Sequence, residues 1–167
     1  NKVIIVAEPT VVGDFSTSVG SATIGTITLI GKSVFGFAQG SAGIWRLNIE
    51  KQEVSNVLSD DASVGGYVGL ENDTAATTLA LIGTADFVQF NPVLEKTTPV
   101  TIELKDDDVV VADLDVFGDR LYLLSAKQNR IIRLQKSGSS YTTPTNWLND
   151  GETVSTAVAF DIDGSIY

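Results

Sequence analysis

Residues 31–47, GKSVFGFAQGSAGIWRL, align without a gap on residues 118–134, GDRLYLLSAKQNRIIRL. Apolar Val34 meets Leu121, aromatic Phe35 meets Tyr122, and Phe37, Ile44, Trp45 and Leu47 meet Leu124, Ile131, Ile132 and Leu134. Arg46 and Arg133 are identical. A unit that recurs in this way predicts repeated architecture, each copy too small to bury its own apolar face and so stacked on the next.

Gly31, Gly83, Gly118 and Asp163 mark four units at separations of 52, 35 and 45 residues, a mean of 44. Helical repeats of similar length need apolar residues at i, i+3, i+4 and i+7 over ten or more positions, and no segment here has them. The units instead hold short runs of β-branched and aromatic residues broken by turn chemistry. All-β units of about 40 to 45 residues predict the four-stranded blades of a β-propeller.

In the first unit strands are predicted near 26–30, 33–38, 43–49 and 53–58. The third repeats them in VVADLDVF, RLYLLS, RIIRLQK and YTTPTNWL. In the second, TTLALI and ADFVQF read as the first two strands, and Asn91-Pro92 interrupts where the third should run, because proline cannot donate to a ladder. The domain reading is a linker and the outer strand of a preceding or closing blade over 1–20, blades over 21–62, 63–105 and 106–150, and an incomplete blade over 151–167. A chain that starts at Asn1, lacks methionine and stops at Tyr167 within a strand motif is expected to be part of a longer protein, with the remaining blades of that chain as its partners. A closed four-bladed ring is the alternative.

The units G-(D/K)-x-φ-(Y/F)-φ-φ, followed by a turn and φ-φ-R-L, with DIDGSIY starting another, resemble blades of NHL-type six-bladed β-propellers, in which a DG or GD turn joins the inner two strands. The resemblance covers residues 21–167 and implies architecture. It carries no catalytic residue onto this chain.

With no histidine and no cysteine the segment holds no Ser-His-Asp or Cys-His site, no disulfide and no ordinary zinc site. A net charge of −10 and a pI near 4.2 oppose duplex nucleic acid and anionic membrane as partners, since both demand a basic footprint. No apolar stretch approaches the roughly 18 residues of a membrane span. GTITLIGKS, residues 25–33, imitates a phosphate-binding loop but has five residues between its glycines where four are required, so it reads as strand, turn, strand. DIDG at 161–164 lacks the spacing of a calcium loop and reads as a hairpin turn. Asp60-Asp61 and Asp106 to Asp108 read as solvated loops. Phe35, Trp45 and Tyr122 read as packing against neighbouring blades, and the environment of Trp147 is left open.

One carboxylate pair stands out. Aligned first strands put Asp113 and Asp115 at the positions of Thr26 and Thr28, and of Thr78 and Ala80, two apart and on one side of a strand lining the central channel. Asp113, Asp115 and Thr28 are the expected ligand-binding residues, with Asp115 the candidate for an oxygen-liganded cation such as Ca²⁺; no other cofactor is expected. The functional expectation is a non-catalytic binding or interaction scaffold for a protein or small molecule, favouring an extracellular or membrane-anchored surface protein. The alternative is a carboxylate- or metal-dependent hydrolase or lactonase with its site in the channel.

Overall fold

The computed structural model describes residues 24–38, 43–58, 67–73, 78–83, 87–104 and 109–162. The first sheet runs in chain order through β1 (Ile24–Ile30), β2 (Ser33–Ala38), β3 (Ile44–Asn48) and β4 (Glu53–Leu58). The second follows as β5 (Tyr67–Asp73), β6 (Thr78–Gly83), β7 (Phe87–Asn91) and β8 (Lys96–Pro99). A two-residue strand, β9 (Thr101–Ile102), crosses to the outer edge of the third sheet, where it lies parallel to β13 (Ser140–Asn146) outside β10 (Asp113–Phe117), β11 (Arg120–Ser125) and β12 (Arg130–Ser137). A single 3₁₀ turn at Ala126–Gln128 is the only helical element among the described residues.

The repeat is preserved in register. Phe35 pairs with Arg46 and Tyr122 with Arg133, and Val34–Leu47 corresponds to Leu121–Leu134. Gly31-Lys32 and Gly118-Asp119 are two-residue hairpin loops, closed by Ile30–Ser33 and Phe117–Arg120. Gly31 (φ 58°) and Gly118 (φ 63°) take the left-handed conformation while the residues after them do not, the pattern of a II′ turn, whose twist suits the flanking strands. The apparent phosphate loop at 25–33 is therefore β1, this turn and the start of β2.

The second sheet corrects the reading of its unit. TTLALI and ADFVQF are its second and third strands, and the first is Tyr67–Asp73. Gly83 closes β6 and is not the counterpart of Gly31 and Gly118. The first strands end at Ile30, Asp73 and Phe117, 43 and 44 residues apart, so the uneven spacing came from anchoring the unit on the wrong glycine. Asn91-Pro92 does not interrupt a strand; it opens the turn into β8. Asn91 Oδ1 accepts from the N–H groups of Val93 and Leu94 at 2.9 Å each, and Glu95 closes the turn at φ 51°. The first sheet builds the same loop, with Asn48 Oδ1 accepting from Glu50 and Lys51 and Gln52 at φ 55°. Proline is tolerated because this asparagine-capped turn asks for no donor at that position.

The sheets stack face to face through apolar layers. Phe35, Phe37, Ile44 and Val57 of the first meet Leu70, Val88 and Phe90 of the second. Phe87 and Val100 meet Leu114, Val116, Leu121, Leu123, Ile132, Leu134 and Tyr141 of the third, with Phe87 and Tyr141 edge to face at 5.9 Å between ring centroids. The far face of the third sheet, with Tyr122, Leu124 and Ile131, is covered by the following segment through Trp147, Val154, Phe160 and Ile162. Tyr122 and Trp147 stack tilted at 4.7 Å, so Trp147 packs against the third sheet. Phe35 and Tyr122 are buried, whereas Trp45 is half-buried because it lies on the opposite face of the first sheet. The segment 1–20, the acidic stretches Asp60-Asp61 and Asp106 to Asp108, and the Asp163-Gly164 turn lie outside the described residues.

A polar tie joins the second and third sheets. Asp73 is fully buried at the end of β5, where its Oδ2 accepts from Gln89 Nε2 at 3.0 Å and from Lys136 Nζ at 3.3 Å. The ammonium also lies 6.0 Å from the centroid of the Tyr141 ring. Burial, and then the Asp73 charge, push the Tyr141 hydroxyl up to about 12.

Candidate functional site

In a stack of this kind the first strand of each sheet is innermost, and β5 packs between β1 and β10. Register places Thr28 opposite Phe35, Glu71 opposite Ala80 and Asp115 opposite Tyr122, each two residues before its strand ends. These three are thus the same position of consecutive units, and Glu71, rather than Ala80, is the counterpart of Thr28 and Asp115. Thr78 sits on the second strand, paired with Asp73, and is not the counterpart of Thr26 and Asp113.

Thr28 Oγ1 donates to Glu71 Oε1 at 3.1 Å, and the Asn72 backbone N–H donates to the same oxygen at 2.6 Å. Asn72 Nδ2 also donates to the Leu29 carbonyl at 3.1 Å, fastening the first two inner strands. The charges of Asp161 and Asp113 oppose the ionisation of Glu71, and the Glu71 charge in turn opposes that of Asp115. Burial is the largest influence on Glu71 and raises its carboxyl above the ordinary range, against the two hydrogen bonds that lower it.

Asp113 and Asp115 are buried, and each has a specific partner. Asp113 Oδ2 accepts the Phe160 N–H at 3.0 Å and Asp115 Oδ2 accepts the Ile162 N–H at 2.5 Å. Residues two apart on β10 thus hold residues two apart on the following segment, carboxylates standing where ladder carbonyls would otherwise be. Burial raises both carboxyls. Asp115 is pushed up to about 6 from an ordinary 3.8, first by burial and then by the Glu71 charge, with the Ile162 hydrogen bond pulling the other way. Among the described residues, no three acidic side chains are grouped closely enough to hold a metal ion.

A carboxyl that binds its proton more tightly when folded contributes stability below its unfolded pKa, and that contribution is lost as pH rises through the folded value. For Asp115 the window runs from 3.8 to about 6. Asp115→Asn keeps an oxygen for the Ile162 N–H and removes the titration. Urea unfolding should find the variant on the order of 2 kcal/mol more stable than wild type at pH 8 and nearly equal at pH 4. Parallel pH profiles would show that the Asp115 charge does not burden the fold.

Sequence reasoning named Thr28, Asp113 and Asp115 and passed over Glu71 and Asp161, which lie beside them. The available signal was spacing, since Glu71 lies 43 residues after Thr28 and 44 before Asp115. Asp161 belongs to the segment that the two aspartates hold.

No known protein family and no curated protein matches this chain. In structure it is similar to a streptogramin B lyase, at 11% identity and a TM-score of 0.63 over 87% of this chain and 46% of that one. It is also similar to an auxiliary nutrient binding protein of Bacteroides thetaiotaomicron, at 15% identity and 0.58 over 74% and 31%. A third similarity is to the computationally designed Ika4 protein, at 10% identity and 0.59 over 91% and 86%. The chain spans less than half the length of the first two, which are β-propeller-like. With three stacked, mainly antiparallel sheets and these neighbours, the fold is that of part of a β-propeller.

Proposed function

We propose that this chain is a non-catalytic binding scaffold with NHL-like blades, and that its ligand is a small hydroxyl-rich molecule held where the inner strands converge. The observation that supports this reading is the recurrence of an oxygen-bearing side chain at one position of three consecutive units, Thr28, Glu71 and Asp115, with Thr28 and Glu71 already hydrogen-bonded to each other. The Asp115 carboxyl, pushed up to about 6, is part protonated just below neutral pH, and a part-protonated carboxyl both donates to and accepts from hydroxyl groups. That chemistry suits a polyol better than Ca²⁺, which requires several ionised or carbonyl oxygens around one point. The hydrolase alternative gains no comparable support, because Asp113 and Asp115 each commit an oxygen to a backbone N–H. Calorimetric titration of myo-inositol and, separately, of calcium chloride into wild type and Glu71→Gln tests the proposal. A saturable heat with the polyol that falls at least tenfold in affinity in the variant is expected. Indistinguishable heats from the two proteins would overturn it.

A further inference from the structure

The segment after β13 crosses the far face of the third sheet with little regular structure of its own. Side chains of that sheet fasten it at three points. Asn129, left-handed at φ 50° after the 3₁₀ turn, accepts the Val154 N–H and the Thr153 hydroxyl on its Oδ1, at 2.7 Å each. Asp113 and Asp115 accept the Phe160 and Ile162 N–H groups further along. In each case a side-chain oxygen stands in for a backbone carbonyl. Asp113 and Asp115 can gain or lose a proton, whereas Asn129 cannot.

The two titratable fastenings sit among negative charges. Asp115 meets those of Glu71 on β5 and Asp161 in the segment, and Asp161 acts on Asp113 as well. Arg120 and Arg133 share that face of the sheet, at the registers of Phe117 and Tyr122. Arg120 is ion-paired with Asp119 at 3.9 Å, and Arg133 lies one strand further out, beyond Tyr122. Asp150 and Glu152 are in the exposed turn at 149–152. An ionised carboxylate is the stronger acceptor for an N–H, so the hydrogen bonds alone would favour the charged form. Burial and the neighbouring charges win, because both carboxyls are raised in spite of their N–H partners. Lifting residues 157–162 would return Asp113 and Asp115 to water and withdraw Asp161, relieving both effects at once.

We propose that residues 157–162 are a proton-governed strap, latched over β10 while Asp113 and Asp115 hold protons and loosened when both ionise, with the Asn129–Val154 contact as its fixed end. What the strap uncovers on loosening is the inner strand itself, Asp113 and Asp115 included. A carboxyl raised in the closed form contributes to closure below its ordinary value, and that contribution is lost as pH rises through the raised one. For Asp115 the window lies between 3.8 and about 6.

Hydrogen exchange of the full chain tests this, read residue by residue by NMR from pH 4.5 to 8, with each rate divided by the intrinsic rate at that pH. The Phe160 and Ile162 amides should lose at least about tenfold in protection across the range. They should also exchange faster than the Leu123 amide of β11 and with little dependence on added urea, the mark of a local opening. The Val154 amide, at the fixed end, should change less than either. Asp113→Asn/Asp115→Asn keeps an oxygen for each N–H and removes both titrations, so protection at Phe160 and Ile162 should no longer depend on pH. If that variant does not fold, Asp115→Asn alone should cut the loss at Ile162 at least about threefold. Protection at Phe160 and Ile162 equal to that of Leu123 at every pH would overturn the proposal, since the segment would then open only with the whole chain. So would protection that is constant from pH 4.5 to 8 in wild type, or that falls as far in the variants. No ligand enters the measurement, so its outcome is separate from polyol binding at Glu71.

Discussion

Truncating Lys136 to alanine should cost the folded chain about 3 to 5 kcal/mol, a range typical of removing one partner from a buried ion pair. Its ammonium approaches a carboxylate, Asp73, that is fully buried between two sheets, and the Gln89 amide supplies a dipole there but no counter-charge. The asymmetry of the pair makes the test discriminating. Lys136 is 29% exposed and Asp73 1% by side chain, so removing the lysine takes a cation away from a carboxylate that water cannot reach, whereas Asp73→Asn leaves a cation that water can. Denaturant unfolding at pH 7 should therefore rank Lys136→Ala below Asp73→Asn by at least 1 kcal/mol. The double variant Asp73→Asn/Lys136→Met should recover most of the loss, since the desolvation cost of both charges is gone. Equal losses in the two single variants would mean that the pair lies in effectively aqueous surroundings.

Phe90→Ala is expected to cost about 3 to 5 kcal/mol as well, by a different route. Phe90 is wholly buried in the layer between the first and second sheets, and truncation leaves a cavity lined by residues from both. Because contacts in a stacked array are mainly between neighbours, the damage should be local to that junction. Trp45 reports on the first sheet and Trp147 on the far side of the third, stacked on Tyr122. In wild type their unfolding transitions should coincide. In Phe90→Ala, with each tryptophan followed in a background where the other is phenylalanine, the Trp45 transition should move to lower urea than that of Trp147. Transitions that shift together would show that the three sheets unfold as one cooperative unit despite the cavity.

The two losses have different origins in the sequence. Phe90 sits in a run of apolar and aromatic residues, FVQF, that reads as a strand without help. The Asp73–Lys136 tie joins residues 63 apart in sequence, and nothing local to either residue indicates the other.

What the sequence determined by itself is the unit and its local rules. Alternating β-branched and aromatic residues define strands, and Gly31 and Gly118 define hairpins, because both depend on a few neighbouring residues and their backbone preferences. The match of 31–47 to 118–134 carried the register too, since facing pairs such as Phe35–Arg46 and Tyr122–Arg133 are fixed once the hairpin is fixed. The second unit departs from that match because its Asn91-Pro92 is a turn built by the asparagine side chain and not a proline within a strand. Only the tertiary structure decided which residues share the centre. Thr28, Glu71 and Asp115 meet because three inner strands, each more than 40 residues from the next, are brought side by side by the apolar layers that stack their sheets. The structure also gives Asp113 and Asp115 the Phe160 and Ile162 N–H groups to accept, contacts set by where the following segment lies. Burial against that segment, and the approach of Glu71, raise the Asp115 carboxyl to about 6. Desolvation and charge proximity are properties of the assembled stack, and no spacing along the chain encodes them.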